Sequence, residues 1–275
     1  RLGWLSKELG DAKAAGKYFA QARGGSAIAM TMVILAVTTI VSLVADIGGQ
    51  DGGLIMNALQ MDKAAVAHGQ IWRLATVALV HLPLTDMPLH LISNMYALWI
   101  VGPIVERLYG PFRMLAFYVV FAIAGSLASF ALAQDAQVAV GASGAIFGLF
   151  GLVVSALVIQ RPALGPNTKS MAVNFAVLIV LNLYLGATMP RIDNSAHIGG
   201  LVAGLWFGLL FVPSKVSAVR SMWRRAGAEP GTSEPILGEQ GMILVQAAGL
   251  LGLLVAFGVL WSIGAPVWRA VAPVS

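Results

Sequence analysis

The chain has 275 residues, of which 58% are hydrophobic and 11% are charged. Soluble domains carry roughly 25% charged residues, so this composition excludes an ordinary soluble fold and indicates a protein solvated largely by lipid. The chain contains no Cys, which excludes disulfides, thiolate zinc sites and a cysteine nucleophile. Its net charge is +5, and the basic residues are spread over short loops and do not form a nucleic-acid-binding surface.

Residues 1–25 place Leu2, Leu5 and Leu9 on one helical face, with Lys and Glu between them. This pattern suits a helix that lies at the membrane interface, and a frayed tail is the alternative. No signal-peptide core precedes residue 26. We therefore expect the first apolar run to stay in the protein, after an N-terminal segment over 1–25.

Seven apolar runs follow, and helices of this length cross a hydrocarbon core of roughly 30 Å. The connections between them are short except for 46–87 and 214–240, the second of which is charged and contains two Pro. The sequence thus predicts an all-α polytopic membrane protein, with a six-helix core over 26–213, a linker over 214–240 and a seventh transmembrane helix with its tail over 241–275. The runs lie near 26–45, 88–105, 114–133, 140–159, 171–187, 196–213 and 241–262.

The basic residues predict the orientation of these spans. Cytoplasmic loops of membrane proteins carry an excess of Lys and Arg. With the N-terminus inside, 13 of the 17 basic residues fall in cytoplasmic segments and four fall outside. We therefore expect a cytoplasmic N-terminus and linker, and a C-terminus outside. In this topology the second, fourth and sixth spans begin at the same, outer face.

Polar residues cluster where those three spans begin. The second opens with His90 and Asn94, the fourth with Ser143 and the sixth with His197. Polar side chains in membrane helices are costly and are usually functional or paired. Three sets at one depth, from three helices, predict a site.

The residue types in this site point to acyl transfer. A Ser hydroxyl is a weak nucleophile that needs an adjacent base, and His197 is the best candidate because its ring accepts a proton near neutral pH. Ser143, at a helix N-terminus, also has free backbone N–H groups that suit an oxyanion. His90 and Asn94, one turn apart, are further candidate donors to that oxyanion.

Small residues predict close contact between the fourth and sixth spans. The sixth span carries Gly200, Gly204 and Gly208 at four-residue spacing, and the fourth carries Gly144 and Gly148. Each span thus has a small-residue face, although ordinary helix packing alone accounts for such glycines. Phe147 is four residues after Ser143 on the same helical face, where we expect it to stack on the ring of His197.

The remaining candidates have weaker signals. His68 and His81 lack motif partners of the kind that His90 and His197 have, and we interpret them as loop or interfacial residues. The Glu106–Arg107 pair is interpreted as a structural ion pair or a topology anchor. A metal site needs three or more converging ligands, and only His90 and His197 lie at the same depth. We therefore expect neither a metal nor a cofactor.

Taken together, the motifs resemble those of the rhomboid intramembrane serine proteases. The similarity runs from about residue 72 to 208. It includes Trp72-Arg73, His90-x-x-x-Asn94, Glu106-x-x-x-Gly110, Gly141-Ala-Ser143-Gly144 with Phe147 and Gly148, and Ala196-His197-Ile-Gly-Gly200-x-x-x-Gly204. Each motif is weak alone, but their order and spacing are specific. Val77 stands where rhomboids often have a His, Phe147 where some have a Tyr, and the stretch between His81 and His90 is long.

The resemblance implies a six-helix core with a water-filled cavity open to the outside. It also implies a Ser143–His197 dyad, an oxyanion site from His90, Asn94 and the Ser143 backbone N–H, packing roles for Gly141, Gly144, Phe147, Gly200 and Gly204, and transmembrane proteins as substrates. The basic-inside bias fits a bacterial inner membrane, with a mitochondrial inner membrane as the alternative. A catalytically silent rhomboid-like protein that binds membrane helices is the second functional hypothesis, and the presence of both Ser143 and His197 favours the enzyme.

Overall fold

The computed structural model of the protein describes residues 29–46, 53–133, 137–159, 168–189, 191–211 and 239–273. The predicted segment 1–25 and nearly all of the predicted linker 214–240 lie outside this range. Each of the seven predicted apolar runs overlaps a long helix. These are α1 (Ala29–Asp46), α5 (Pro88–Tyr109), α6 (Pro111–Leu132), α7 (Ser143–Ile159), α8 (Thr168–Thr188), α9 (Asn194–Leu210) and α10 (Glu239–Arg269).

Five of these helices are long and apolar enough to cross a membrane. They are α1, α5, α6, α8 and α10. The remaining two, α7 and α9, have 17 residues each, which gives a length of about 25 Å at 1.5 Å per residue. The protein is therefore an all-helical integral membrane protein. Among its seven long helices, the two shortest are α7, which carries Ser143, and α9, which carries His197.

The long connection between α1 and α5 is more structured than its sequence pattern predicts. It forms the short helices α2 (Leu54–Leu59), α3 (Lys63–Ala67) and α4 (Arg73–Thr76), followed by a 3-10 turn over Val77–Leu79. Strand β1 (Met61–Asp62) pairs antiparallel with β2 (Val138–Ala139), with Met61 opposite Ala139. This two-stranded ribbon ties the first loop to the segment that leads into α7.

A buried carboxylate joins α5 to the start of α1. Glu106 is fully buried and accepts from the backbone N–H of Met30 at 3.0 Å, from that of Thr31 at 2.8 Å and from the Thr31 hydroxyl at 2.7 Å. The contacts of Glu106 are therefore not those of an ion pair with Arg107, the first of the two roles expected for this pair, and the second role, a topology anchor, stays a prediction. Instead, the carboxylate satisfies backbone donors in the first turn of another helix, which otherwise have no partner within their own helix.

Helices α6, α7 and α9 form the centre of the bundle. The rings of Phe117 and Phe121 on α6 meet Phe207 of α9 edge to face at centroid distances of 5.3 and 5.2 Å. Leu149 and Leu152 of α7 are fully buried in the same core cluster. Helix α8 lies at the edge of the bundle, where many of its large apolar side chains are exposed.

The end of α10 returns to the first loop. Trp268 is buried, and its indole N–H donates to the Phe130 carbonyl at 2.8 Å. The ammonium group of Lys63 lies 5.3 Å from the centroid of the Trp268 ring. Gln137, next to β2, donates to the Ala272 carbonyl at 2.8 Å. We call this set of contacts the C-terminal clamp, because it joins the end of α10 to residues next to both strands of the ribbon, Lys63 after β1 and Gln137 before β2.

Candidate active site

A large cavity of about 1450 Å³ opens at the end of the bundle where α5, α7 and α9 begin. Side chains from the first loop, α1, α5, α6, α7, α8 and α9 line it. The lining includes Ser143, His197, His90 and Asn94. The structure therefore brings together the four polar residues that the sequence singles out on three separate helices.

Ser143 is the first residue of α7 and follows a sharp turn. Gly141 has a φ of +122°, a conformation that residues with a Cβ rarely adopt. A Cβ on Gly141 would also lie 2.9 Å from Nε2 of His90. Glycine is thus required at this position for two reasons, the positive φ of the backbone and the closeness of the His90 ring. The result is a half-buried Ser143 at the wall of the cavity.

His197 lies in the first turn of α9 and is held from two sides. Its ring stacks on Phe147 at a centroid distance of 4.2 Å and an interplanar angle of 7°, which confirms the predicted contact. On the other side, Nδ1 lies 3.2 Å from the side-chain oxygen of Asn194. The Asn194 amide nitrogen donates to the Leu183 carbonyl at 2.9 Å, so its oxygen is the atom that faces the ring.

Asn194 is a residue that the sequence reasoning missed. Because its oxygen can only accept, the contact requires a hydrogen on Nδ1 of His197 and leaves the lone pair on Nε2. The predicted sixth span begins at residue 196, two residues too late. Asp193, whose side chain accepts from the Ala196 N–H at 3.0 Å, is the N-cap that marks the true start. With that start, the three-residue spacing from Asn194 to His197 would have identified the pair.

Helices α7 and α9 are in direct backbone contact beside the two polar residues. A Cβ on Gly200 would lie 1.9 Å from the Gly144 carbonyl oxygen, and a Cβ on Gly204 would lie 1.9 Å from that of Gly148. The predicted close packing of these glycines is therefore present. Because Gly144 follows Ser143, this contact sets the distance between the two helix starts.

His90 and Asn94 lie on α5, where the His90 ring is next to Gly141, two residues before Ser143. The Leu82 N–H donates to Nδ1 of His90 at 3.4 Å, which leaves the ring hydrogen on Nε2, the atom that lies against Gly141. One N–H of the Asn94 amide donates to the His90 carbonyl at 2.7 Å. A planar amide has two such hydrogens, so one donor remains for the cavity.

His81 lies in the irregular segment before α5, as predicted for a loop residue, but it is buried and both of its ring nitrogens have partners. It is 2% exposed, its Nδ1 lies 3.0 Å from the Ser42 hydroxyl, and the Ala142 N–H donates to its Nε2 at 3.3 Å. Burial, and to a smaller extent the neighbouring His90 ring, lowers the pKa of His81 to about 3. His81 is therefore a loop residue as predicted, but the expectation that it lacks partners is wrong. His68 lies in a turn and is exposed, and its Nδ1 is 2.8 Å from the Ala64 carbonyl oxygen.

Comparisons with known proteins match the chain to one family. A model of the Rhomboid domain family matches residues 68–214. The chain is 38% identical over 145 residues to the rhomboid protease GluP of Bacillus subtilis, covering 53% of this chain and 27% of that protein. It is 37% identical over 153 residues to RHOMBOID-like protein 5 of Arabidopsis thaliana, covering 55% of this chain and 48% of that protein. The chain thus spans half or less of the length of these relatives.

Proposed function

This chain belongs to the rhomboid family, and from that membership we propose that it is a serine endopeptidase that cleaves transmembrane segments of other membrane proteins. The observation that carries the proposal is the position of Ser143 and His197 at the starts of two helices in backbone contact, beside one cavity. A binding module has no need of a nucleophile beside a base. We therefore favour the enzyme over a silent helix-binding protein.

In the proposed reaction, Oγ of Ser143 attacks the carbonyl carbon of the scissile peptide bond while Nε2 of His197 takes the hydroxyl proton. The tetrahedral intermediate collapses as His197 returns that proton to the leaving amine, which leaves an acyl ester on Ser143. A water molecule, deprotonated by the same ring, then hydrolyses the ester. Asn194 supports this role because it keeps the lone pair of His197 on Nε2.

The oxyanion of the intermediate needs donors on the side of Ser143 away from His197. We assign Nε2–H of His90, the free N–H of Asn94 and the backbone N–H of Ser143 to this role. The first N–H groups of α7 have no partner within their helix, and the helix dipole favours negative charge there. Their pre-set positions avoid reorganisation as charge develops.

The proposed architecture is a six-helix core over 26–213 with α10 as a seventh span. The bias of basic residues supports a cytoplasmic N-terminus and linker, and a cavity open to the outer face of a bacterial inner membrane. The C-terminal clamp supports a C-terminus on that same face, because it joins the end of α10 to the ribbon beside the cavity. A reporter fused after Ser275 should therefore be external and one within 214–240 cytoplasmic. If the reporter after Ser275 were cytoplasmic, α10 would not cross the membrane.

The proposed activity is tested by fluorophosphonate labelling of the purified protein in detergent. Such probes form a covalent bond with an activated Ser, so the wild type should be labelled and Ser143→Ala should not. His197→Ala should lose nearly all labelling and all cleavage of a transmembrane substrate. Because nucleophile and base act as a unit, the double variant should be no slower than either single variant. A folded wild type that is neither labelled nor active on any membrane substrate would favour the silent binding protein.

A further inference from the structure

We propose that His81 positions the nucleophile turn, residues 141–143, by accepting the Ala142 N–H on a ring nitrogen whose protonation Ser42 selects. The proposal rests on the role proposed above for Ser143. His81 does not line the cavity as Ser143 and His197 do. It acts through the backbone of the turn, so it is a positioning residue.

The location of His81 makes it a bridge between three parts of the fold. The ring is 2% exposed and lies between α1, the end of the first loop and the nucleophile turn. Nδ1 is 3.0 Å from the hydroxyl of Ser42 on α1, and Nε2 is 3.3 Å from the backbone nitrogen of Ala142. Both ring nitrogens therefore have a partner on a different element.

The hydrogens of this network can be assigned from its partners. Ser42 has one hydroxyl hydrogen, which it donates to the Leu79 carbonyl at 3.0 Å. The bond between Ser42 and His81 must then use a hydrogen on Nδ1. Nε2 carries the lone pair, and this is the atom that meets the Ala142 N–H. Only a neutral ring with its hydrogen on Nδ1 satisfies all three groups.

The consequence for the turn is that two successive amides are held by the first loop. The Gly141 N–H donates to the Val77 carbonyl at 3.1 Å, and the Ala142 N–H donates to His81. The next residue is Ser143, so its hydroxyl position follows from these two bonds. The Ala142 N–H is also removed from the set of donors that an oxyanion can use.

Two substitutions at His81 separate the two ends of the ring. The oxygen of Gln reaches as far as Nε2 and can accept from Ala142. Asn reaches only as far as Nδ1, so it keeps a partner for Ser42 and loses the one for the turn. Because misplacing a catalytic group by about 1 Å costs on the order of 10²-fold in rate, His81→Asn should lower kcat and the rate of Ser143 labelling by about 10-fold to 100-fold. His81→Gln should recover most of that loss, with KM within about twofold of the wild type in both.

The rates are expressed per labelled site, after titration of the reactive fraction with a fluorophosphonate. A merely structural role would lower that fraction in both variants and leave kcat per site unchanged, which would overturn the proposal. Equal kcat in His81→Asn and the wild type would overturn it as well. If the wild type itself is not labelled, the proposed function is wrong and the inference about the turn is wrong with it. If the wild type is labelled but the variants do not differ as described, only the inference about the turn is wrong.

A measurement on the wild type makes the test independent of variant folding. In protein labelled with ¹⁵N at its four His residues, the NMR shifts of the ring nitrogens distinguish a protonated from an unprotonated atom. His81 should show a hydrogen on Nδ1 and none on Nε2 at pH 7, and Ser42→Ala should shift this pattern. A hydrogen on Nε2 in the wild type would refute the proposal, because that ring could not accept from Ala142.

Discussion

Gly200→Ala tests the contact that sets the distance between the two helix starts. The added Cβ would lie 1.9 Å from the Gly144 carbonyl oxygen, whereas ordinary contact begins at 3.4 Å. The two backbones would have to separate by about 1.5 Å, and overpacking of this kind costs about 1–3 kcal/mol of unfolding free energy. The displaced oxygen belongs to the residue after Ser143, and a shift of about 1 Å at a catalytic group costs on the order of 10²-fold in rate. We expect both losses.

Two other glycines serve as matched controls. Gly204→Ala meets the Gly148 oxygen at the same 1.9 Å but one turn further from Ser143, so it should lose similar stability and less activity. Gly252→Ala on α10 meets nothing within 4 Å and should be neutral or stabilising by up to about 1 kcal/mol. Thermal unfolding in detergent and the rate of fluorophosphonate labelling measure the two effects. If Gly200→Ala unfolds and reacts like Gly252→Ala, the backbone contact between α7 and α9 is wrong.

Three further outcomes are expected. His90→Ala should lower kcat on a transmembrane substrate by about 10²-fold to 10³-fold without silencing the enzyme, and complete loss in a folded variant would make His90 the better candidate for the base. Asn194→Ala should release the His197 ring and lower kcat more than it changes KM. Asn194→Asp keeps an acceptor oxygen and should retain more activity than Asn194→Ala, and equal losses of activity in the two variants would contradict the role of Asn194. Finally, the folded pKa of His81, about 3, lies below the unfolded value near 6.5, so its stabilising contribution is complete above about pH 6.5 and is lost on acidification, by about 2 kcal/mol at pH 5. The free energy of unfolding should therefore fall more between pH 7.5 and 5 in the wild type than in His81→Gln, because His90, whose ring centroid is 5.2 Å from that of His81, is present in both. Equal falls would refute this burial.

The helices could be predicted from the sequence because lipid imposes long apolar runs that are easy to recognise. Their starts could be predicted less well, since a helix begins where a cap satisfies its backbone and not where its apolar run begins. Asp193 shows this, because it starts α9 two residues before the predicted span. The ribbon of β1 and β2 has two residues per strand, too few for a period-two pattern to be visible.

The site could be predicted in its main residues because polar groups are rare inside apolar helices. The burial of His81 could not be predicted, because this residue lies in an irregular segment that has no periodic pattern of apolar residues. Its partners Ser42 and Ala142 are 39 and 61 residues away. The partners of Glu106 could not be predicted for a related reason. Its neighbour Arg107 points in a different direction, as adjacent helical residues do, and its hydrogen-bond donors are 75 and 76 residues away. Long-range partners of this kind leave no local trace in one sequence.

The C-terminal clamp has a consequence for biogenesis. Chains are synthesised from the N-terminus, and the segments for α5 to α9 reach the membrane before the segment that carries Trp268 leaves the ribosome. The ribbon beside Lys63 and Gln137 therefore gains this support only after Trp268 and Ala272 have left the ribosome. We expect a nascent chain to have a loosely held first loop and little reactivity at Ser143. In this way a protease inserted among other unfinished membrane proteins would stay inactive until its own α10 has been made and has docked.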